Sequence, residues 1–223
     1  MIPTTVARTH AKWKYKTAAI IYGDDNAFTK TDYDVFKREL EKAGVTIVDS
    51  ETFHIKDTDF QAALTRIDSK KPDVIAIGAL FPEATKIIAQ AGKLGMKAHM
   101  MGGNGLNSPE MYSVAGSAAE GIVVGAAWAL AGKYPQNLRF VKAYTAKYGK
   151  PPDQFAAQAY AGAEIVAYLV AHGATNKDEM LAGLRNVRVI QTVLGPIGFD
   201  ANRDVKSAPV ILVIVKNGFA YFH

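Results

Sequence analysis

The sequence predicts an α/β fold: a three-layer, doubly wound, mainly parallel sheet. Three observations predict it. Short β-branched runs alternate with stretches of helical period four times in succession, beginning at Thr17. The runs end in Gly, Asp or Asn before each helical stretch. The connections are only a few residues long, which suits right-handed βα units.

Residues 1–10 lack the apolar run of a secretory signal and read as the start of an amphipathic helix with Pro3 in its first turn. Thr17 to Tyr22 is the first strand, followed by the loop Gly23 to Thr29. From Lys30 to Ala43, Tyr33, Phe36 and Leu40 share one helical face, and Gly44 closes the helix. Val45 to Val48 is the next strand. Phe60 to Ser69 is helical and stops at Lys71-Pro72, and Val74 to Ile77 is a buried strand. Pro82 begins a helix that runs to about Leu94 before Gly95; His99 to Met101 is a strand. Ser108-Pro109-Glu110 has the form of a capped helix start, and Gly121 to Ala127 closes the series.

After Trp128 the texture changes to three helical segments, Asn137 to Tyr148, Asp153 to His172 and Lys177 to Asn186. The end is β again: Val193 to Phe199, then Pro209 to Val215 and Phe219 to Phe222 as a hairpin around Lys216-Asn217-Gly218. Organisational breaks fall near 129–134 and 189–191.

With 223 residues, of which 49% are hydrophobic, the chain has core enough for one large or two small domains, which excludes disordered and fibrous classes. The absence of cysteine excludes disulfides and thiol chemistry. The net charge of +5 is dispersed, with Lys37, Arg38 and Lys42 interleaved with Glu39 and Glu41, so it reads as solvated surface rather than a nucleic-acid patch. Nothing approaches the roughly 18 consecutive apolar residues of a membrane span.

In open α/β sheets ligands bind beyond the carboxyl ends of the strands, which nominates four loops. In the first, Asp24 and Asp25 form a carboxylate pair, but the third strand ends without the acid a phospho-receiver metal site needs, so solvated turn acids are the better reading. Phe28 at that loop's tip is either a packing plug or a lid on a ligand. In the second, Leu80 and Phe81 either cap the core or form an apolar ligand wall. In the third, residues 102–108, glycines flank Asn104, whose amide offers both a donor and an acceptor; a tight turn explains the same glycines. The spacing is one glycine short of a dinucleotide fingerprint and follows the fourth strand, not the first. In the fourth, Trp128 is a core or interface residue, or a stacking surface for a ligand. None of the five histidines forms an H-x-x-x-H pair, and nucleophile-elbow and P-loop motifs are absent, so binding is favoured over catalysis.

Taken in order, Ala19 to Phe28, Asp57 to Leu64, Lys71 to Ile75, Met101 to Pro109, Ala119 to Val123, Tyr148 to Pro152 and Gly195 to Asp200 closely resemble the type I periplasmic binding proteins of ABC importers, in the branched-chain amino-acid group. The match is to the later part of that two-lobed family, so the first lobe is expected to be largely missing. The resemblance implies that 1–127 and 193–223 belong to the second lobe, and that the helical segments of 128–192 belong to the first. It further implies no enzyme activity, no cofactor and no metal, a small-molecule ligand, an ABC permease as partner and a periplasmic or extracellular location. Phe28, Leu80, Asn104 and Phe155 stand at the family's ligand-contact positions. Leu80 replaces a usual aromatic, and Asn104 replaces the acid that grips an α-ammonium. A buried ammonium without a carboxylate is costly, so Asn104, with Phe28, Phe81, Trp128 and Phe155, points to an aromatic or aliphatic carboxylate first and a branched-chain amino acid second. A lone second lobe offers one wall of a cleft and is expected to bind weakly. The helices of 135–188 lack the surface they bury in the family and are expected to fold back or to pack on a second copy. A ligand-sensing domain of a receptor or regulator shares the fold and is the alternative.

Overall fold

The computed structural model describes residues 1–216 and 218–223; Asn217, in the turn of the expected terminal hairpin, lies outside the described residues. In chain order the first elements are α1 (Ile2–Trp13), β1 (Thr17–Gly23), α2 (Ala27–Lys42), β2 (Thr46–Phe53), α3 (Gln61–Ser69), β3 (Val74–Gly78), α4 (Phe81–Lys93), β4 (His99–Gly102), α5 (Glu110–Ala115) and β5 (Val123–Ala126). They are followed by α6 (Pro135–Tyr148), α7 (Gln154–Ala171), α8 (Lys177–Asn186), β6 (Ile190–Thr192), β7 (Gly195–Phe199), β8 (Val205–Lys206), β9 (Val210–Val215) and β10 (Gly218–Tyr221). The chain divides into two compact units, Met1–Ala126 with Val210–His223, and Ala127–Pro209.

The first unit is built on one sheet of order β10-β9-β5-β4-β3-β1-β2. Strands β2, β1, β3, β4 and β5 pair in parallel; β9 joins β5 antiparallel, and β10 joins β9 the same way. The β5–β9 ladder runs Val123↔Val213 to Ala126↔Val210, so the strands on either side of residues 127–209 are direct neighbours. On one face Ala18, Ile20, Val74, Ala76 and Met101 pack with Ile2 and Val6 of α1 and Phe36 and Leu40 of α2. The alternate residues Ile21, Ile75 and Ile77 point the other way and are equally buried, as are Leu64 and Ile67 of α3 and Ile87 and Ile88 of α4. Every residue of β3, the middle one of the five parallel strands, is buried.

Sequence and structure differ locally. Helix α2 begins at Ala27 rather than Lys30, because the Asn26 side chain accepts from the Phe28 and Thr29 amides and caps it early. Strand β2 continues through Asp49 and Ser50 to Phe53: it is an edge strand on which Ser50 and Thr52 are exposed, and Glu51 is held by Arg66 at 2.6 and 2.7 Å.

In the second unit, α6, α7 and α8 accompany a small sheet of order β6-β7-β8. The expected single strand from Val193 to Phe199 is instead the turn and second strand of a hairpin, with Thr192 opposite Gly195. Val193 sits in that turn yet points into an apolar cluster with Trp128, Phe140, Ala157 and Ala161. Its amide is anchored by Glu164 Oε2 at 2.7 Å. These ties keep β6–β8 with the helices, and the chain returns to the first unit at Val210 rather than at the expected 193. Helices α6 and α7 expose Leu138, Tyr148, Phe155, Tyr160, Val166 and Val170.

Phe36 is fully buried between α2 and the sheet. Phe36→Ala is expected to cost about 3–5 kcal/mol of unfolding free energy in urea titration.

Candidate functional site

Because β1 to β5 are parallel, the loops that follow them leave from one edge. The chain steps from β1 outward to β2 and then returns to the other side of β1 for β3. That reversal separates the loops after β1 and β3 and creates the crevice in which doubly wound sheets bind ligands.

The loop after β1 is rigidly built. Asn26 Oδ1 accepts from the Phe28 amide at 2.9 Å, and Thr29 Oγ1 donates to the Gly23 carbonyl at 2.5 Å. Phe28 is thereby fixed in the first turn of α2 with 38% of its surface exposed. The Asp25 carboxylate is committed to the Ile55 amide at 2.9 Å, and Asp24 Oδ1 lies 3.5 Å from His54 Nε2.

After β3, Leu80 is extended and precedes α4, with Phe81 and Pro82 in the first turn; Leu80 and Phe81 are both half-buried. After β4 the chain makes a single 3₁₀ turn, Asn104–Leu106. A Cβ at Gly105 would run into the Ala79 carbonyl oxygen, so only glycine lets this turn close against the β3 loop. The close approach sets the Asn104 turn against the backbone of Ala79 and Leu80, and Asn104 is only 8% exposed.

Beneath these loops lies a residue the sequence reading did not single out. Asp32 of α2 is 7% exposed, and its Oδ2 has no hydrogen-bond partner among the described residues. A Cβ added to Gly103 would lie 2.9 Å from that oxygen, and one added to Gly78 3.4 Å from the Asp32 Cβ. Burial pushes the Asp32 carboxyl up to about 7, and the Met1 ammonium opposes this less strongly. The available signal was helical spacing: Asp32 stands one turn before Phe36 on the face that was read as core.

Phe28, Leu80, Phe81 and Asn104 are therefore gathered at the carboxyl edge of one sheet. Trp128 and Phe155 lie in the second unit. Trp128 is 5% exposed within the apolar cluster, and its indole N–H donates to Asn137 Oδ1 at 2.6 Å. Phe155, in the first turn of α7, is 44% exposed.

Residues 1–220 match a family model described as periplasmic binding protein. The Leu/Ile/Val-binding protein BraC3 of Rhizobium johnstonii is 30% identical over 197 residues, which is 87% of this chain and 53% of that protein. The leucine-binding protein LivK of Thermotoga maritima superposes with a TM-score of 0.91 at 22% identity, covering 100% of this chain and 64% of that one. The branched-chain amino-acid transporter substrate-binding protein LivJ of Streptococcus pneumoniae, solved with isoleucine, superposes with a TM-score of 0.83 at 27% identity, covering 96% and 62%. The chain spans about half the length of the curated relatives it matches.

The buried carboxyl of Asp32 makes stability depend on pH. With its pKa raised in the folded state, Asp32 is penalised wherever the unfolded chain ionises it and the folded one resists. Stability is expected to fall as pH rises from about 4 to about 7, by on the order of 4 kcal/mol, and then to level off. Asp32→Asn removes that slope and is more stable than the parent at pH 8, as read from urea midpoints across the range.

Proposed function

The chain belongs to the periplasmic binding protein family, and from that premise we propose that it captures a small solute for an ABC importer in the periplasm or outside the cell. The observation that carries this reading is the gathering of Phe28, Leu80, Phe81 and a buried Asn104 amide where the strand order reverses, beyond β1, β3 and β4. Apolar side chains around a small number of fixed polar groups are what an orienting small-molecule site needs. Nothing in the arrangement pairs a nucleophile with a base, so the reading is capture rather than turnover, with no cofactor. Its partners are the solute and an ABC permease, not nucleic acid.

The solute class follows from Asn104. A neutral amide pairs with a carbonyl, hydroxyl or carboxylate and offers no charge to an ammonium. An aromatic or aliphatic carboxylate is therefore the primary reading, with Phe28 and Phe81 against its body. Trp128 is packed within the second unit's own apolar cluster, and Phe155 is exposed on that unit. A branched-chain amino acid is the second reading, favoured by the isoleucine held by the 27%-identical Streptococcus pneumoniae protein. The exposed apolar residues of α6 and α7 support self-association through the helices of 135–188.

Two outcomes are expected. By isothermal titration calorimetry benzoate binds more tightly than leucine, and Asn104→Asp reverses the order by about tenfold or more. Tighter binding of leucine by the unaltered chain overturns the carboxylate reading. In sedimentation equilibrium the chain is a dimer or larger, and Tyr160→Glu shifts it toward monomer; a monomer at high concentration sinks the self-association reading.

A further inference from the structure

The opposite, amino-terminal edge of the same sheet carries a second concavity of about 740 Å³. Its walls come from the segments that enter β1, β3 and β4, and four lysines line it: Lys14, Lys16, Lys71 and Lys97. All four are exposed, and none makes an ion pair among the described residues. Two of them stand on left-handed backbone, Lys14 at φ 55° and Lys71 at φ 50°. Glycine or asparagine occupies such positions more cheaply than lysine.

Two carboxylates also line the concavity, Asp68 and Asp73. Asp73 is consumed by the fold: it accepts from the Lys16 amide at 2.8 Å, the Thr17 amide at 2.9 Å and Thr17 Oγ1 at 3.0 Å. Those bonds fix the segment that bears Lys16, and the four lining lysines outnumber the two lining carboxylates. One wall is a flat ring pair, His99 stacked on Trp13 with centroids 4.4 Å apart and planes 7° from parallel.

We propose that this concavity is a second ligand site that takes a small polyanion bearing at least two phosphate or carboxylate groups. Its volume falls within the range of small-molecule sites. Lysines bind such groups as point charges on flexible stems, and four of them on three separate segments need more than one anionic group to engage them together. The site is distinct from the carboxyl-edge loops and does not depend on the solute-capture reading.

The test is a two-dimensional amide NMR titration of the whole chain with inorganic pyrophosphate, and separately with citrate. Shift changes are expected to be confined to residues 13–17, 68–74 and 95–99, together with the Trp13 indole signal. The monoanion acetate is expected to bind at least about tenfold more weakly. A response to pyrophosphate alone supports a phosphate-bearing ligand, one to citrate alone a polycarboxylate, and one to both a site that counts charges. Lys14→Asn with Lys71→Asn, which keeps the left-handed backbone, should weaken binding about tenfold or more, as should Lys97→Ala on ordinary backbone. Shifts scattered over lysines elsewhere, such as Lys30 and Lys142, or unchanged affinity in folded variants, would overturn the proposal, and neither result bears on benzoate or leucine binding.

Discussion

The first unit depends on one constraint: a parallel sheet presents apolar side chains on both faces, and both must be covered. Ile20 and Val74 require α1 and α2 on one side, while Ile21, Ile75 and Ile77 require cover on the other. Each crossover must therefore span the sheet and return in parallel, which leaves every strand exit on the same edge. Phe28, Leu80 and Asn104 are brought together by this geometry although they are far apart in sequence. The antiparallel β9 and β10 complete the sheet at one side, beyond β5.

Local chemistry refines what the topology brings together. The Asn26 cap sets Phe28, and the missing Cβ at Gly105 lets the turn after β4 rest on the exit of β3. Asp32 works against this economy. A carboxyl with an unpartnered oxygen, buried below the same loops, costs folding energy whenever it ionises. Its position under Gly78 and Gly103 links the support of these loops to a group whose charge changes near neutrality.

The repeating pattern of the first unit was legible because burial on both faces writes itself as uninterrupted apolar runs such as Val74 to Ile77, and because Pro82 and Gly44 mark helix limits. The carboxyl-edge residues were legible through topology: once the strands were ordered, the loops after them followed. Three features were not legible. The hairpin at 190–199 hides because Val193 is an apolar, β-branched turn residue drawn into the core beside Trp128, so the turn reads as strand. The polar second half of β2 reads as loop because an edge strand can turn residues such as Ser50 and Thr52 to water. Asp32 escapes because a polar residue on an apolar helix face is ordinarily taken for its boundary.

The ladder between β5 and β9 has a consequence for how such a chain can be assembled and taken apart. Ala126 and Val210 face each other across two hydrogen-bonded strands, so residues 127–209 leave and return at adjacent points. To the seven-stranded sheet, that whole segment is topologically a hairpin loop of unusual length. The register of that ladder is one that a two-residue turn can close. The first unit is in this sense one continuous sheet with a single long excursion, entered after Ala126 and left before Val210.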